Sequence, residues 1–390
     1  MLSAVPLPAL TADEAAHAGR VAAHIRSEVA VAGGWIPFSR FMTLALYAPG
    51  LGYYSAGARK FGAGGDFITA PELTPVFARC VAAQVAEILT KTGGGTVLEA
   101  GAGSGALASA LLPALESRGV LPARYQILEV SADLRQRQRD KLAREVPGLL
   151  ERVEWLDAPP EAAWRGVVLA NEVLDALPVE RFRVTAQGVE VQGVIAEGEG
   201  FAFQWRPAGE ALATVVRERV GEKAVGFQGE VCLMTKPWVT EMARSLTAGA
   251  LLFVDYGLPR AQYYHPSRSG GSLCGFFRHR RVEDVLARPG LQDITAWVDF
   301  TAVAEAGVDA GFEVAGFATQ AHFLLDTGLE GEIRAAGAEL DTAGQAWLAQ
   351  AAATLIMPGE MGERFKVLAL TRGIGAKLKG FAFRDLARSL

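Results

Sequence analysis

The 390-residue chain has only three cysteines, Cys80, Cys232 and Cys274, widely spaced and odd in number. That excludes a disulfide framework and a paired-thiol zinc pattern, and it suits a reducing compartment. Its five histidines, His17, His24, His265, His279 and His322, lack the spacing of a metal pair, so no metal is expected. Long hydrophobic runs are also missing. Those around Gly166 to Ala170 are far too short to span a bilayer, so no membrane insertion is expected. The N-terminus lacks the charged-then-apolar order of a secretory signal. Asp13 and Glu14 argue against an acid-poor transit peptide, which makes the cytoplasm the expected location. Positive charge is not in excess: 38 Lys and Arg against 43 Asp and Glu leave a net −5, which gives no electrostatic reason to expect nucleic acid as a partner. The short basic stretch Arg278, His279, Arg280 and Arg281 reads as a solvated or substrate-facing turn.

What the chain does have is apolar side chain. Half of its residues are hydrophobic, enough to bury a large core, and its length allows one large elaborated domain or two. Thr11 with Glu14 has capping-box spacing ahead of a helix carrying Ala15, Ala18, Val21, Ala22 and Ile25 on one side. From Trp35 to Tyr54 aromatics alternate with Pro49, Gly50 and Gly52, which predicts a compact lid rather than a regular element. Tyr47, Tyr53 and Tyr54 there read as packing groups. Pro71 and Glu72 open a helix expected to run to about Leu89.

A regular rhythm follows. Strands are expected at Thr96–Glu99, Tyr125–Glu129, Val153–Leu156 and Val167–Ala170, with helices at Ala106–Leu115 and Ala132–Arg144 between them. Short apolar strands alternating with helices imply a doubly wound parallel sheet, an α/β architecture. Between Phe182 and Trp205 the pattern becomes alternating, as antiparallel hairpins inserted into that core would require. A helix near Pro237–Leu246 precedes a fifth strand, Leu251–Asp255. Further helices are expected at Thr301–Ala310 and Ala338–Ala352, and strands at Phe312–Phe317 and Phe365–Leu370.

The strongest local signal is Glu99-Ala100-Gly101-Ala102-Gly103-Ser104-Gly105, after a strand and before a helix. Glycine lets backbone turn sharply and approach a ligand, and the helix start presents free N–H groups. Such a loop can cradle a dinucleotide pyrophosphate or the amino-acid part of S-adenosylmethionine. The spacing is Gly-x-Gly-x-Gly rather than the dinucleotide Gly-x-Gly-x-x-Gly. Glu99 beside a pyrophosphate would be repulsive. Beside ammonium and sulfonium charges it would attract by about 1 to 4 kcal/mol, depending on the effective dielectric. Glu129 ends the second strand, where a carboxylate can accept from both ribose hydroxyls, and Asp157 ends the third, placed to reach an adenine amino group. Three acids at successive strand ends favour a nucleoside cofactor.

After the fourth strand comes Ala170-Asn171-Glu172-Val173-Leu174-Asp175-Ala176-Leu177-Pro178. A methyl acceptor has to be held in line with the donor and its charge managed. Glu172 could receive a guanidinium or amine, Asn171 could orient the nitrogen, and Asp175 could make a second contact. For Asp175, capping a turn ahead of Pro178 is an equal alternative. His265 could act as a base, although a hydrogen-bonded loop histidine is the commoner role for such a residue.

The run Gly64-Gly65-Asp66-Phe67-Ile68-Thr69-Ala70-Pro71-Glu72, the glycine loop and Asn171-Glu172-x-x-Asp175-Ala176-x-Pro178 occur in order. Asp255-Tyr256-Gly257, Asp293-Ile294-Thr295, Val298-Asp299-Phe300-Thr301, Gly316-Phe317-x-Thr319-Gln320 and Phe323-Leu324 follow them. Over about Phe41 to Thr371 the chain resembles the MidA-like family of S-adenosylmethionine-dependent methyltransferases, whose mitochondrial members act as protein arginine methyltransferases in complex I assembly. The resemblance implies a class I, Rossmann-like methyltransferase with inserted β-hairpins and an N-terminal lid. It implies S-adenosyl-L-methionine as cofactor and contacts to it from Gly101, Gly103, Glu129 and Asp157, with Gly105 and Asn171 alongside. Asp66, Thr69 and Glu72 would close from the N-terminal side, and Glu172 and Asn171 would face the acceptor. The expected layout is a helix-and-lid segment over 1–71, a methyltransferase domain over 72–375 with insertions at 181–248 and 256–300, and a tail over 376–390. The stretch Gly271 to His279 departs from the family pattern near the acceptor pocket.

Arginine methylation of a protein is therefore the leading expectation. The alternatives are small-molecule or peptide O-methylation on the same scaffold, or a non-catalytic assembly factor that binds the cofactor. A protein or small-molecule acceptor is the expected partner, and a homodimer is compatible with the sequence.

Overall fold

Runs such as Val167-Val168-Leu169-Ala170 are apolar on both faces, as a strand covered by helices on either side has to be. In the computed structural model, which describes residues 8–56, 69–221, 224–375 and 377–390, all four are buried at the centre of a sheet. Asp66 lies outside the described residues. The chain divides into two units: 69–175, 235–263 and 298–390 form the larger, and 1–68, 176–234 and 264–297 the smaller.

The larger unit is built on eight strands: β1 (Thr96–Ala100), β2 (Arg124–Leu128), β3 (Val153–Leu156), β4 (Trp164–Asn171), β5 (Leu246–Leu258), β6 (Val298–Asp299), β7 (Glu313–Thr319) and β8 (Phe365–Arg372). Their order is β7-β8-β5-β4-β1-β2-β3, with β6 paired to the end of β5. Strands β1 to β5 pair parallel, while β8 runs antiparallel to both β5 and β7. The chain starts at β1, winds outward to β3, then crosses back to β4. The point between β1 and β4 is thus the topological switch, where open α/β sheets offer a crevice at the carboxyl ends of their strands. The expected doubly wound sheet is present, with the two late strands at its antiparallel end.

Its helices include α1 (Ala70–Leu73), α2 (Pro75–Lys91), α3 (Ala106–Ser117) and α4 (Ala132–Glu145). The single helix expected from Pro71 is broken at Thr74, which is extended (φ −165°, ψ 144°) and accepts a hydrogen bond from Val76 N. Pro75 explains the break, since the residue before a proline is pushed out of the helical region. Val81 and Val85 of α2 and Leu107 and Leu111 of α3 pack on Val97, Val167, Leu169 and Leu252 of the sheet. Each such buried side chain contributes about 1.5–3 kcal/mol. The helix expected over Ala338–Ala352 runs from Thr342 to Ile356, starting later because Asp341 caps it by accepting from Gly344 N at 2.8 Å, and a further helix, Leu329–Gly337, precedes it. Residues near 380 are tied in as well: Gly380 N donates to Gln84 Oε1 at 2.8 Å, and Phe317 N donates to Asp385 Oδ1 at 3.0 Å.

The smaller unit contains the antiparallel hairpins Glu180–Thr185, Gly188–Glu197 and Gly200–Pro207, joined by Ile36–Pro37 and Gln228–Val231, and a three-stranded sheet over Cys274–Thr295. Helix Ala12–Val31 carries the Thr11–Glu14 capping box. The segment read as an irregular lid contains a regular helix, Phe38–Tyr47, whose Phe38, Phe41, Met42 and Ala45 recur at helical spacing and are buried. The aromatic punctuation around it obscured that period. No helix among the described residues is long and apolar enough to cross a membrane.

Candidate active site

The glycine loop leaves β1 with three glycines in the left-handed region, Gly101 at φ 65°, Gly103 at 53° and Gly105 at 79°. Non-glycine residues are strained there. A side chain at Gly101 would also place its Cβ 2.9 Å from Val173 Cγ2. The loop is held from behind by Gln138 of α4, fully buried, whose amide nitrogen donates to Gly103 O at 2.9 Å and to Glu129 Oε2 at 3.2 Å. Its amide oxygen accepts from Trp155 Nε1 at 2.9 Å, so one side chain ties the loop to the ends of β2 and β3.

Glu129 also accepts from Ser131 N at 2.9 Å. Burial pushes its carboxyl above the ordinary range, against the opposing pull of those donors. Asp157 is 92% exposed at its side chain and pairs with Arg135 at 2.7 Å. Glu99 is buried in β1 and accepts from the Tyr125 hydroxyl at 2.7 Å. Burial first, and the nearby Glu129 charge next, raise it to about 7. Glu99 thus has a partner inside the sheet, where its sequence position predicts only a ligand-facing role.

The second group gathers where β4 ends. Glu172 has φ 54°, a left-handed conformation unusual for any residue but glycine and common at functional sites. Its N–H donates to Val254 O at 2.9 Å, and its Oε1 accepts from Asn171 Nδ2 at 3.1 Å. The Ala70 N–H at the start of α1 also reaches its carboxyl. Burial raises that carboxyl to about 8, with Asp175 and then Glu72 adding negative charge. Asp175 is buried and accepts from the Tyr256 hydroxyl.

Asp255, 1% exposed, lies behind both. Its Oδ2 accepts from the N–H groups of Val173 (3.1 Å), Leu174 (2.9 Å) and Asp175 (3.3 Å), and its Oδ1 from Tyr256 N (2.9 Å). Burial, Asp175 and Glu172, in that order, raise it well above the carboxylate range. Four carboxyl groups, Glu72, Glu172, Asp175 and Asp255, thus converge on one site. Two buried acceptors there, Glu72 Oε2 and Asn171 Oδ1, have no hydrogen-bond donor among the described residues. Buried acceptors cost free energy unless satisfied, so the pocket suits a ligand that brings N–H groups and positive charge.

Glu72, Asn171, Glu172 and Asp175, named from sequence, come together here, and Thr69 adjoins them as the residue before α1. Asp255, Tyr256 and Gln138 were missed as site residues. Asp255-Tyr256-Gly257 at a strand end was the available signal, and nothing in a charged helix singles out Gln138. His265 is exposed, with its Nδ1 2.8 Å from Ser267 Oγ, the loop-histidine role. Arg278 pairs with Glu14 at 2.6 Å. Tyr47 and Tyr54 stack at 5.6 Å beside buried Tyr53, packing groups as expected.

A family model described as "Putative S-adenosyl-L-methionine-dependent methyltransferase" matches residues 80–318. The chain is 29% identical to protein arginine methyltransferase NDUFAF7, mitochondrial, of Danio rerio, over 88% of this chain and 85% of that protein. It is 30% identical to the Mus musculus protein of the same name, over 86% and 81%. A crystal structure of a Burkholderia thailandensis protein bound to S-adenosyl-homocysteine superimposes with a TM-score of 0.93 and 44% identity, covering 99% of this chain and 100% of that one.

Proposed function

The chain belongs to this family of S-adenosyl-L-methionine-dependent methyltransferases, and we propose that its acceptor is an arginine side chain of a protein. The observation that carries the acceptor class is the buried, acceptor-rich pocket: Glu172 and Asp175 with Glu72 Oε2 and Asn171 Oδ1, which find no donor among the described residues. A guanidinium brings five N–H donors and a delocalised positive charge, and it matches that set. A carboxylate or phenolate acceptor would instead bring no N–H groups to these acceptors and would push the carboxyls' pKa values still higher. The names of the curated relatives point the same way.

On this reading the loop of Gly101, Gly103 and Gly105 holds the methionine part of the cofactor, and Glu129 takes the ribose hydroxyls. Asp157 reaches the adenine amino group, while Thr69 and Glu72 close the near side. Glu99 supports the loop from within the sheet and adds negative charge beneath it. The cofactor supplies an electrophilic methyl group on a sulfonium and leaves as S-adenosyl-homocysteine. Asp175 and Asn171 orient the guanidinium so that one nitrogen faces the methyl carbon. That nitrogen forms the new C–N bond as the C–S bond electrons return to sulfur, and Glu172 accepts the displaced N–H proton at its carboxylate. A carboxyl raised to about 8 by burial is suited to hold that proton near neutral pH.

A cytoplasmic, reducing setting is consistent with three cysteines that form no disulfide, of which buried Cys80 is pushed up to about 12. The test is incubation with methyl-labelled S-adenosyl-L-methionine and a protein extract, followed by acid hydrolysis and amino-acid analysis. Label in methylarginine, lost with Glu172→Gln, is the expected result. Label in methyl-lysine or in base-labile esters would refute the acceptor assignment.

A further inference from the structure

Glu172 and Asp175 lie close enough to influence each other, yet their surroundings differ. Glu172 is contacted by the Asn171 amide and the Ala70 N–H, with Glu72 facing it from α1. Asp175 receives the hydroxyl of Tyr256 from β5. Asp255 stands behind both, and opposite it in β8 is Lys366, whose ammonium donates to Glu363 O and Arg364 O. The Tyr256 ring is fixed edge-on against Phe365, with centroids 5.4 Å apart.

We propose that Tyr256 is a positioning residue of the acceptor site, acting through Asp175: its hydroxyl keeps Asp175 ionised and aimed, so that Asp175 receives the acceptor's charge while Glu172 is the group that takes up the proton. This rests on the guanidinium reading given above. Two neighbouring carboxyls that would otherwise compete for one proton are given different tasks by one donor, since hydrogen bonding to the charged form favours that form. Strong coupling makes the protons belong to the cluster, so its macroscopic midpoints are the observable. Removing a donor that stabilises an anion moves every macroscopic midpoint of the cluster upward.

Tyr256→Phe keeps the ring against Phe365 and deletes the hydroxyl. With protein saturated in S-adenosyl-homocysteine, methylguanidinium is titrated calorimetrically between about pH 6 and 9. Tyr256→Phe should weaken its binding about tenfold and shift the pH midpoint up by roughly one unit, the effect of losing a hydrogen bond to a charged group. In an Asp175→Asn background the same change should add almost nothing, because the tyrosine acts through that carboxylate. Equal affinity in wild type and Tyr256→Phe, or an undiminished effect in the Asp175→Asn background, overturns the proposal and leaves the guanidinium reading intact. If the wild type ignores methylguanidinium, the guanidinium reading fails by itself. Carbon-13 titration of the carboxyl groups then decides the tyrosine's role, upheld by a raised cluster midpoint in Tyr256→Phe and overturned by an unchanged one.

Discussion

Replacing Glu172 by glutamine should abolish methyl transfer and at the same time stabilise the protein, by an amount that depends on pH. The Glu172 carboxyl is raised from an ordinary 4.5 to about 8, chiefly by burial and then by Asp175. Between those values the folded protein binds a proton that the unfolded chain releases, so stability falls as pH rises. At about 1.36 kcal/mol per pH unit, the burden is of order 3 kcal/mol at pH 7 and about 5 kcal/mol above pH 8. It fades below about pH 4.5, where both states carry the proton. Glutamine has the same length, can still accept from Asn171 and Ala70, and is never ionised. Urea unfolding without cofactor should therefore show Glu172→Gln more stable than wild type by a few kcal/mol at pH 8.5 and by under about 1 kcal/mol at pH 5. A gap of the same size at both pH values, or a less stable variant at pH 8.5, would refute the reasoning, because neither follows from a buried carboxyl forced to ionise.

Two further outcomes are expected. Gly101→Ala puts a Cβ on a left-handed residue 2.9 Å from Val173 Cγ2. It should cost about 1–2 kcal/mol of stability and weaken S-adenosyl-L-methionine binding at least about tenfold by calorimetry; unchanged affinity would remove the loop from the cofactor site. Gln138→Leu leaves the Trp155 N–H, Gly103 O and Glu129 Oε2 each short of a partner, at about 1–3 kcal/mol for each buried group so orphaned. Cofactor affinity should fall while methylguanidinium affinity at saturating S-adenosyl-homocysteine stays the same, and a loss confined to methylguanidinium would contradict the assigned division of the site.

The strands were legible because each needed only a short apolar run bounded by turn residues, as in Val153–Leu156. Glycines at Gly101, Gly103 and Gly105 stood out because few other residues serve a left-handed backbone. The hairpins of the smaller unit could be read from alternation. Helix Phe38–Tyr47 was misread because its neighbourhood mixes aromatics with Pro49 and Gly50, and Thr74 was overlooked as a break although Pro75 follows it. The acid pocket was half legible. Glu172 and Asp175 lie four residues or fewer from the end of β4, so sequence order placed them. Asp255 joins them only through the pairing of β5 with β4, and its four backbone donors carry no side-chain signature. The partner of Glu99 was likewise hidden, because Tyr125 meets it across two parallel strands.

The larger unit is stitched from three stretches of chain far apart in sequence, and this bears on how the protein is made. β5 pairs along one edge with β4, but its other edge waits for β8, more than a hundred residues later. Until Phe365–Arg372 has emerged from the ribosome, a long apolar strand presents unpaired backbone, the kind of edge that invites association with other chains. The packing of α2 is likewise completed late, when Lys379 N reaches Glu87 and Gly380 N reaches Gln84. A nascent chain that already contains every residue of the glycine loop and the acid pocket therefore still lacks the sheet that holds them, and synthesis halted near residue 300 would release a product prone to aggregate rather than a smaller enzyme.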